Sequence, residues 1–484
     1  MPAIDLHALA VQSMQAHGLL HTFSAQAVAE AQAAVGSAPE QSPAIEDQRR
    51  LPWFSIDNDD TQDLDQLSVA QQLPAGAVRL RVAVADVDWL VPAGGAMDAH
   101  AAHNTSSVYT AAGVFPMLPE LLSNDASSLH QGQDRLAMVV DMQVAADGQV
   151  AAASIYRALV RNHAKLTYNA VAAWLDDTGP PPAQLTSVPQ LEAQLRLHDT
   201  LAASLRQWRQ SHGALQVDTV APRPVFDAAG RLVDLRPEPR NRAKELIADL
   251  MVAANGATAR FLADKGSPSL RRFLQAPRRW DRLVALAAGH GVQLPAQADA
   301  QALEHFLAAR RKADTAGFAD LSLAVVKLLG AGGYAAAAAG GSGAGHFGLA
   351  VADYAHSTAP NRRFPDLVTQ RLLKAALTGA PPPYCADDLA RIASHCTAQE
   401  SAANKVEREV LKAAGAFLLQ GRIGEVFDAI VTGAAAKGTF VRIASPMVEG
   451  RVLRGFEGLD VGDAARVRLL AVDAALSHID FEQA

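Results

Sequence analysis

Apolar positions recur at helical spacing from the start of the chain. Leu6, Leu9, Ala10 and Met14, within residues 5–20, predict a short amphipathic helix. Ser24 stands where a cap belongs, ahead of a second helix, "SAQAVAEAQAAV". Residues 36–43 are rich in Ser, Pro and Gly and read as a linker. Two helices and a turn fit a helix-turn-helix. They fit equally a helical preamble packed on a larger body, and the region is acidic rather than basic. The period then changes. "VRLRVAVADVDWLV" alternates Val78, Leu80, Val82 and Val84, the pattern of a strand. "LAMVVDMQVAADGQVAAASIYRALV" predicts two strands joined by a hairpin at Asp147-Gly148. From about Pro189 the pattern turns helical. "RAKELIADLMVAANGATARFLADKG" predicts a long helix ending at Gly266. "PDLVTQRLLKAALTG" runs from Pro365 to Gly379, and "AQESAANKVEREVLKAAGAFLL" is a third helix. Residues 420–484 return to short strands with Gly-rich turns. Four or five such strands in about 65 residues fit a small closed barrel of the OB type.

Composition narrows this picture. The chain has 484 residues, enough for two or three domains; 49% are hydrophobic, many of them alanine, and 5% are aromatic, which favours helix over an all-β fold. Net charge is −7, so no global basic field advertises nucleic acid, and a polyanion would need a local groove or metal ions. Residues 256–330 hold 11 Lys+Arg against six acids, an excess that suits an RNA channel or a solvated helix face. The only cysteines, Cys385 and Cys396, form no zinc pattern and suggest a reducing compartment. The first residues lack a signal-peptide pattern, and no run of about 20 unbroken apolar residues appears. A cytoplasmic location without membrane attachment is expected.

The candidate chemistry lies in "FSIDNDDTQDLDQLSVA", which places Asp57, Asp59, Asp60, Asp63 and Asp65 within nine positions. A lone Asp in a loop is a turn former or a cap. Several carboxylates repel one another, and folding them together costs stability unless cations sit between them. Two divalent ions ~3.5–4 Å apart are a common compensation and a common engine of phosphodiester cleavage. Hard oxygen ligands suit Mg²⁺ or Mn²⁺. The spacing is not that of an EF-hand, whose glycine and terminal glutamate are missing.

"IDNDDTQDLDQLSVA" resembles the signature of the ribonuclease II (RNB) family of exoribonucleases. Asp57, Asp63 and Asp65 match its first three aspartates. Gln66 stands where the fourth belongs, a departure, and Asp59 and Asp60 fall in a variable spacer. The resemblance continues in order over some 420 residues. "VAVADVDWLV" is similar to a family strand. "VYTAAGVFPMLPELLSNDASSL" and "AKLTYNAV" place Tyr109 and Tyr168 at RNA-contacting tyrosines. "ELIADLMVAAN" puts Ala248 and Asp249 at two family glutamates, a second departure that keeps one acid. "GHFGLAVADYAHSTAPNRRFPDLVTQRLL" is the nearest match, and it argues that the Gly/Ala-rich run 329–345 lies inside the catalytic domain rather than in a linker. "NKVERE" places Glu407 at a residue that contacts the RNA 3′ end. The family's aromatic clamp near "HGALQV" is replaced by Val217.

The resemblance implies an α+β fold with three parts: a helical N-terminal element at 1–50, an RNB-type catalytic domain at 51–418 and an OB barrel that binds RNA at 419–484. Asp57, Asp63, Asp65 and Gln66 are the expected metal site. Asp65, Asp63 and Arg362 are the expected catalytic residues, with Arg363 as the alternative phosphate clamp. Tyr109, Tyr168, Asp249, Glu407 and Arg363 are the expected substrate contacts. His346 and His356 are expected to be structural hydrogen bonders. The implied activity is processive 3′→5′ hydrolysis of RNA to nucleoside 5′-monophosphates with Mg²⁺, for which Mn²⁺ could substitute. The alternative is a catalytically silent RNA-binding protein, argued from Gln66. The expected partner is single-stranded RNA, with entry into structured RNA bearing a 3′ overhang, and the expected state is a monomer. Typical relatives carry two cold-shock barrels ahead of the acids. About 55 residues precede them here, too few for one such barrel.

Overall fold

The computed structural model describes residues 5–484 except 36–39, 41, 219, 239, 316, 342, 344, 436 and 437. The first nine strands are β1 (Ile45–Asp47), β2 (Phe54–Asp57), β3 (Gln66–Gln72), β4 (Val78–Ala85), β5 (Val108–Thr110), β6 (Gly113–Phe115), β7 (Asp134–Val144), β8 (Val150–Arg161) and β9 (Ala164–Thr167). β5 and β6 form a separate hairpin, and the other seven make one sheet in the order β1-β8-β7-β4-β3-β2-β9. The alternation read from β4 predicts one buried face. Instead the strand is buried on both, because Arg81 lies opposite Asp141 in the ladder and is neutralised by it at 3.0 Å. The β7–β8 hairpin turns at Asp147-Gly148 as the sequence predicts. Gly148 has φ +91°, and a Cβ there would fall 2.2 Å from the Ser204 carbonyl oxygen, so only glycine fits.

The helices of this half are α1 (Leu6–Ala16), α2 (Ala25–Val35), α3 (Ala96–Asn104), α4 (Tyr168–Leu175), α5 (Gln184–Ser187), α6 (Leu191–Ser211) and α7 (Arg242–Asp264). Ser24 caps α2 through a 3.1 Å bond from the Ala27 amide. α1 packs on the long helix near the C-terminus and α2 on α3, where Glu30 accepts the Ala96 and Met97 amides. The pair is thus a preamble built onto the main body and not a free helix-turn-helix unit. Most of the expected linker at 36–43 lies outside the described residues. α7 is long and apolar enough to cross a membrane, but 67% of its most apolar 18-residue stretch is buried in the protein. Leu246, Leu250, Ala254 and Ala257 form its inner stripe against the sheet, and each buried Leu contributes ~1.5–3 kcal/mol.

Two antiparallel ribbons follow, β10 (Pro222–Phe226) with β11 (Leu232–Pro237), and β12 (Ser269–Phe273) with β13 (Gly333–Ala337). β13 places part of the run 329–345 inside the main body rather than in a linker; residues 342 and 344 lie outside the described set. Helices α8 (Trp280–Gly289), α9 (Ala300–Ala313) and α10 (Phe318–Leu329) share a small core of their own. α11 (Phe364–Thr378) opens with Pro365 in its first turn and closes at Gly379, φ +67°. α12 (Ala386–Leu419) begins twelve residues earlier than its strongest apolar run suggests. Cys385 caps it through Sγ, and Asp388 answers with a bond to the Cys385 amide. The last five strands, β14 (Val426–Ala435), β15 (Gly438–Ala444), β16 (Met447–Arg454), β17 (Ala464–Asp473) and β18 (His478–Gln483), close into the expected barrel. α12 docks on it at Gly415, where a Cβ would lie 2.4 Å from Val448 Cγ1.

Candidate active site

The acid cluster occupies the loop between β2 and β3, at one end of the sheet. Asp57 is the last residue of β2, and its register opposite Thr167 of β9 brings Tyr168, the first residue of α4, alongside it. The loop is tied down from several sides. Asp57 accepts the Asn58 amide at 2.7 Å and the Thr61 hydroxyl at 3.1 Å. Ser128 accepts the Leu64 amide and donates to the Gln62 carbonyl. The Lys165 ammonium donates to the Thr61 carbonyl. The Asp65 carbonyl accepts the Ala85 amide at 3.0 Å. Asp59 is drawn outward to Asn169 at 2.6 Å, which leaves Asp57, Asp63 and Asp65 as the coupled set.

Those three carboxyls are all shifted upward. Burial is the largest cause for each. Asp57 adds repulsion at Asp63, and Asp63 adds it at Asp65. Asp65 is only 4% exposed, and its carboxyl is pushed up to about 7 in spite of Arg362, whose Nε lies 3.0 Å from its Oδ2. The other oxygen, Asp65 Oδ1, is buried with no hydrogen-bond partner. Among the described residues no three His, Cys, Asp or Glu side chains close into a finished metal cage. The loop nevertheless offers hard oxygen donors, an orphaned buried oxygen and too little positive charge, which is the donor set of a site for a hard divalent cation.

Arg362 comes from the turn between Ala359 and α11. Its carbonyl accepts the Ser107 amide at 3.0 Å, and Asn361 beside it holds Ser127 at 2.6 Å. Burial works against its charge, but Asp65 and Tyr109 more than offset this and keep it cationic. Arg363 does a different job. It pairs with the fully buried Asp366 at 2.7 Å and reaches Thr358, while Asp366 accepts the Ala359 amide, so this arginine locks the turn. Of the two, Arg362 is the guanidinium left facing the acids.

The aromatic and acidic contacts divide. Tyr109, on β5, is 44% exposed and lies against Arg362; its amide is 3.3 Å from Glu407 Oε1 of α12. Burial raises the Glu407 carboxyl. Burial also raises the Tyr168 hydroxyl, and the Asp57 carboxylate adds to it. Among the described residues no contact brings Asp249 to the acids. It is buried on α7, with both oxygens taken up by Arg206 and Arg209 of α6, so its charge is committed to that helix interface. Gln66 opens β3 opposite Val84 and is half-buried; its side chain enters no hydrogen bond among the described residues. His356 bonds the Tyr334 hydroxyl at 2.8 Å, and His346 accepts the Leu349 amide at 3.2 Å; burial lowers both imidazoles, so they are neutral structural groups.

A pocket of about 170 Å³ is lined by Tyr109, Tyr334, Arg362, Asn404 and Glu407. It shares Glu400, Asn404 and Glu407 with a cleft of about 1080 Å³, whose other walls carry Arg278, Arg279, Lys327 and Arg408. Three cations of the basic stretch 256–330 therefore sit at the mouth of the site. Sequence reasoning missed Lys165, which draws both Asp57 and Asp63 downward and holds their loop. It stands three residues before Tyr168 in the same motif, and the parallel pairing of β9 with β2 sets Lys165 opposite Ser55 beside the acids.

A seven-stranded sheet capped by helices, an aspartate loop facing an arginine turn, and a closed C-terminal barrel together define one class of protein. The chain belongs to the RNB family. The RNB domain matches residues 45–379, and the RNase II-type exonuclease C-terminal S1 domain matches residues 425–484. Ribonuclease R of Vibrio parahaemolyticus is 30% identical over 472 residues, covering 90% of this chain and 55% of the relative. Ribonuclease R of Aquifex aeolicus is 31% identical over 481 residues, covering 93% and 67%. The chain thus spans about half to two thirds of the length of these relatives. Mycoplasma genitalium RNase R, solved in complex with ribose methylated single-stranded RNA, shares the fold with a TM-score of 0.86 at 21% identity, over 99% of this chain and 78% of that one.

Proposed function

We propose that the chain is a 3′→5′ hydrolytic exoribonuclease, cytoplasmic and monomeric, that degrades single-stranded RNA processively to nucleoside 5′-monophosphates. The observation that carries this reading is the Arg362–Asp65 contact at 3.0 Å, with the opposite Asp65 oxygen unsatisfied. Asp57, Asp63 and Asp65, with the uncharged amide oxygen of Gln66, would hold Mg²⁺ or Mn²⁺, which supplies Lewis acidity and an activated water when bound. Arg362 turns from Asp65 to the phosphate oxygens and stabilises the charge that builds up on them, a contribution of ~10²–10³ in rate. Tyr109 and Tyr168 flank the reacting nucleotide, at ~1–3 kcal/mol for each stacked base. Glu407, with its raised carboxyl, is placed to hold a ribose hydroxyl and so to prefer RNA over DNA. Arg278, Arg279, Lys327 and Arg408 draw the strand into the cleft despite the net charge of −7.

Gln66 supports a second reading, a silent RNA-binding protein, because it removes one anionic ligand. Incubation of 5′-labelled single-stranded RNA with the protein and Mg²⁺ separates the two. Mononucleotide release supports the enzyme, and binding without cleavage supports the silent form. Entry into structured RNA is read from where the enzyme stalls on a hairpin bearing a 3′ tail.

A further inference from the structure

The exonuclease reading leaves α1 without a task, yet this helix is not idle surface. Leu6, Ala10 and Met14 are buried in one continuous apolar cluster with Val108, Ala111 and Phe115 of the β5–β6 hairpin. His7 stacks on Phe115, with centroids 5.7 Å apart and planes 16° from parallel. Ser13 donates to Glu409 of α12 at 2.6 Å, and His17 meets the same carboxylate at 2.9 Å. The turn after α1 grips the end of α3, just ahead of β5: Leu20 exchanges two 2.8 Å bonds with the Asn104 side chain, and His103 bonds the Gly18 carbonyl at 2.9 Å.

The hairpin held in this way is the one that presents Tyr109. It is short, with three residues in each strand, and a hairpin of that size does not hold its own shape in water. On the inner side the Tyr109 hydroxyl meets Arg362, its amide lies 3.3 Å from Glu407, and the Ser107 amide ahead of it bonds the Arg362 carbonyl at 3.0 Å. Glu409, two residues along α12, takes the bonds from α1. One helix therefore braces the hairpin directly and fixes the α12 segment that holds Tyr109.

We propose that α1 is a positioning brace that holds the β5–β6 hairpin so that Tyr109 stays against Arg362. The proposal rests on the exoribonuclease reading only for its kinetic readout. Holding Tyr109 in advance removes the cost of ordering it when the RNA 3′ end arrives, so the brace acts on substrate affinity rather than on the chemical step.

The test is a double-mutant cycle with the full chain. His7→Ala/Ser13→Ala/His17→Ala removes the ring stack and the polar ties while leaving Leu6, Ala10 and Met14 in place. The expected result is a rise in KM for a short single-stranded RNA of about three- to tenfold with little change in kcat, and almost no further rise when Tyr109→Ala is already present. A merely structural role gives multiplicative effects in the two backgrounds, or a loss of kcat, and either overturns the proposal. Hydrogen exchange supplies the second readout. Amides of residues 108–115 should exchange faster in the triple variant while those of β4 and β7 do not, and unchanged exchange in the hairpin overturns the brace. If the chain cleaves no RNA, the same cycle is read on the affinity for that RNA, which keeps failure of the brace distinct from failure of the enzyme reading.

Discussion

Two carboxylate clusters sit at the same end of the main sheet, and they are resolved in opposite ways. Asp86, Asp88 and Asp98 meet Arg371 and Lys374 of α11 and Arg157 of β8. Arg371 lies 2.8 Å from both Asp88 and Asp98, Lys374 bridges Asp86 and Asp88 at 2.6 and 2.9 Å, and Arg157 reaches Asp86 at 3.0 Å. Each of the three acids has a cation within 3.0 Å, Arg157 also serving Glu40 at 2.7 Å, and the network bolts α11 to the segment after β4. Asp57, Asp63 and Asp65 are just as crowded but are served by Arg362 on one oxygen and by Lys165, which is itself spent on a backbone carbonyl. Carboxylate density alone therefore does not mark a site. What marks it is charge left uncompensated at a place where the fold could have supplied a partner.

The sharpest break in this comparison is Asp65→Asn. It should abolish RNA cleavage and leave RNA affinity near the wild-type value, because it removes metal-binding charge without altering the groove; near-normal turnover in a product assay would refute the assignment. Arg362→Ala should lower kcat by roughly 10²–10³. A loss of affinity at an unchanged rate would make Arg362 a positioning residue instead. The matched change in the other cluster, Arg371→Ala, should act on stability. It leaves the part-buried Asp98 without its cation and Asp88 with Lys374 alone, which costs ~1–3 kcal/mol in a denaturant titration, while kcat per folded molecule stays put.

The pH dependence sharpens the contrast further. The Asp65 carboxyl is held at about 7 in the fold against ~3.9 in the unfolded chain. The fold thus favours its protonated form, and that stabilisation is complete at low pH and lost as pH rises from about 4 through about 7. Without divalent cations, Tm should fall between pH 5 and pH 8. The fall should shrink in Asp65→Asn, and Mg²⁺ should raise Tm at pH 8 far more than at pH 5. An equal Mg²⁺ effect at both values would place the ion elsewhere. The smallest effect is expected from Gln66→Asp, a change in rate of under about tenfold, set by one added charge among three. A jump from no activity to full activity would identify the natural chain as the silent binder.

Much of this was legible in the residues, and the illegible part has a physical reason. The hairpin at Asp147-Gly148, the ends of α7 and α11 and the five-stranded barrel follow from turn residues, caps and periodicity, which are local signals. The aspartate spacing and the "NRRF" turn point to the candidate site, and the fold brings Asp65 and Arg362 within 3.0 Å. The division of labour between Arg362 and Arg363 was not legible, because it depends on Asp366 capturing one of them after the chain has turned. Asp249 misled for a similar reason: nothing local to "ELIADL" tells that α6 aims two arginines at it. The start of α12 was hidden because its cap is Cys385, a residue outside the usual Ser, Thr, Asp and Asn set. The docking of α1 on α12 joins Ser13 to Glu409 across 396 positions, a distance over which no periodicity speaks.

Unmatched charge is what makes the β2–β3 acid loop a candidate cation site. Mn²⁺ binding to the metal-free protein at pH 8, followed by electron paramagnetic resonance, tests it most directly when wild type, Asp65→Asn and Asp88→Asn are compared. Binding to the wild type, its loss in Asp65→Asn and its retention in Asp88→Asn are expected. Mn²⁺ bound equally well by Asp65→Asn would contradict this.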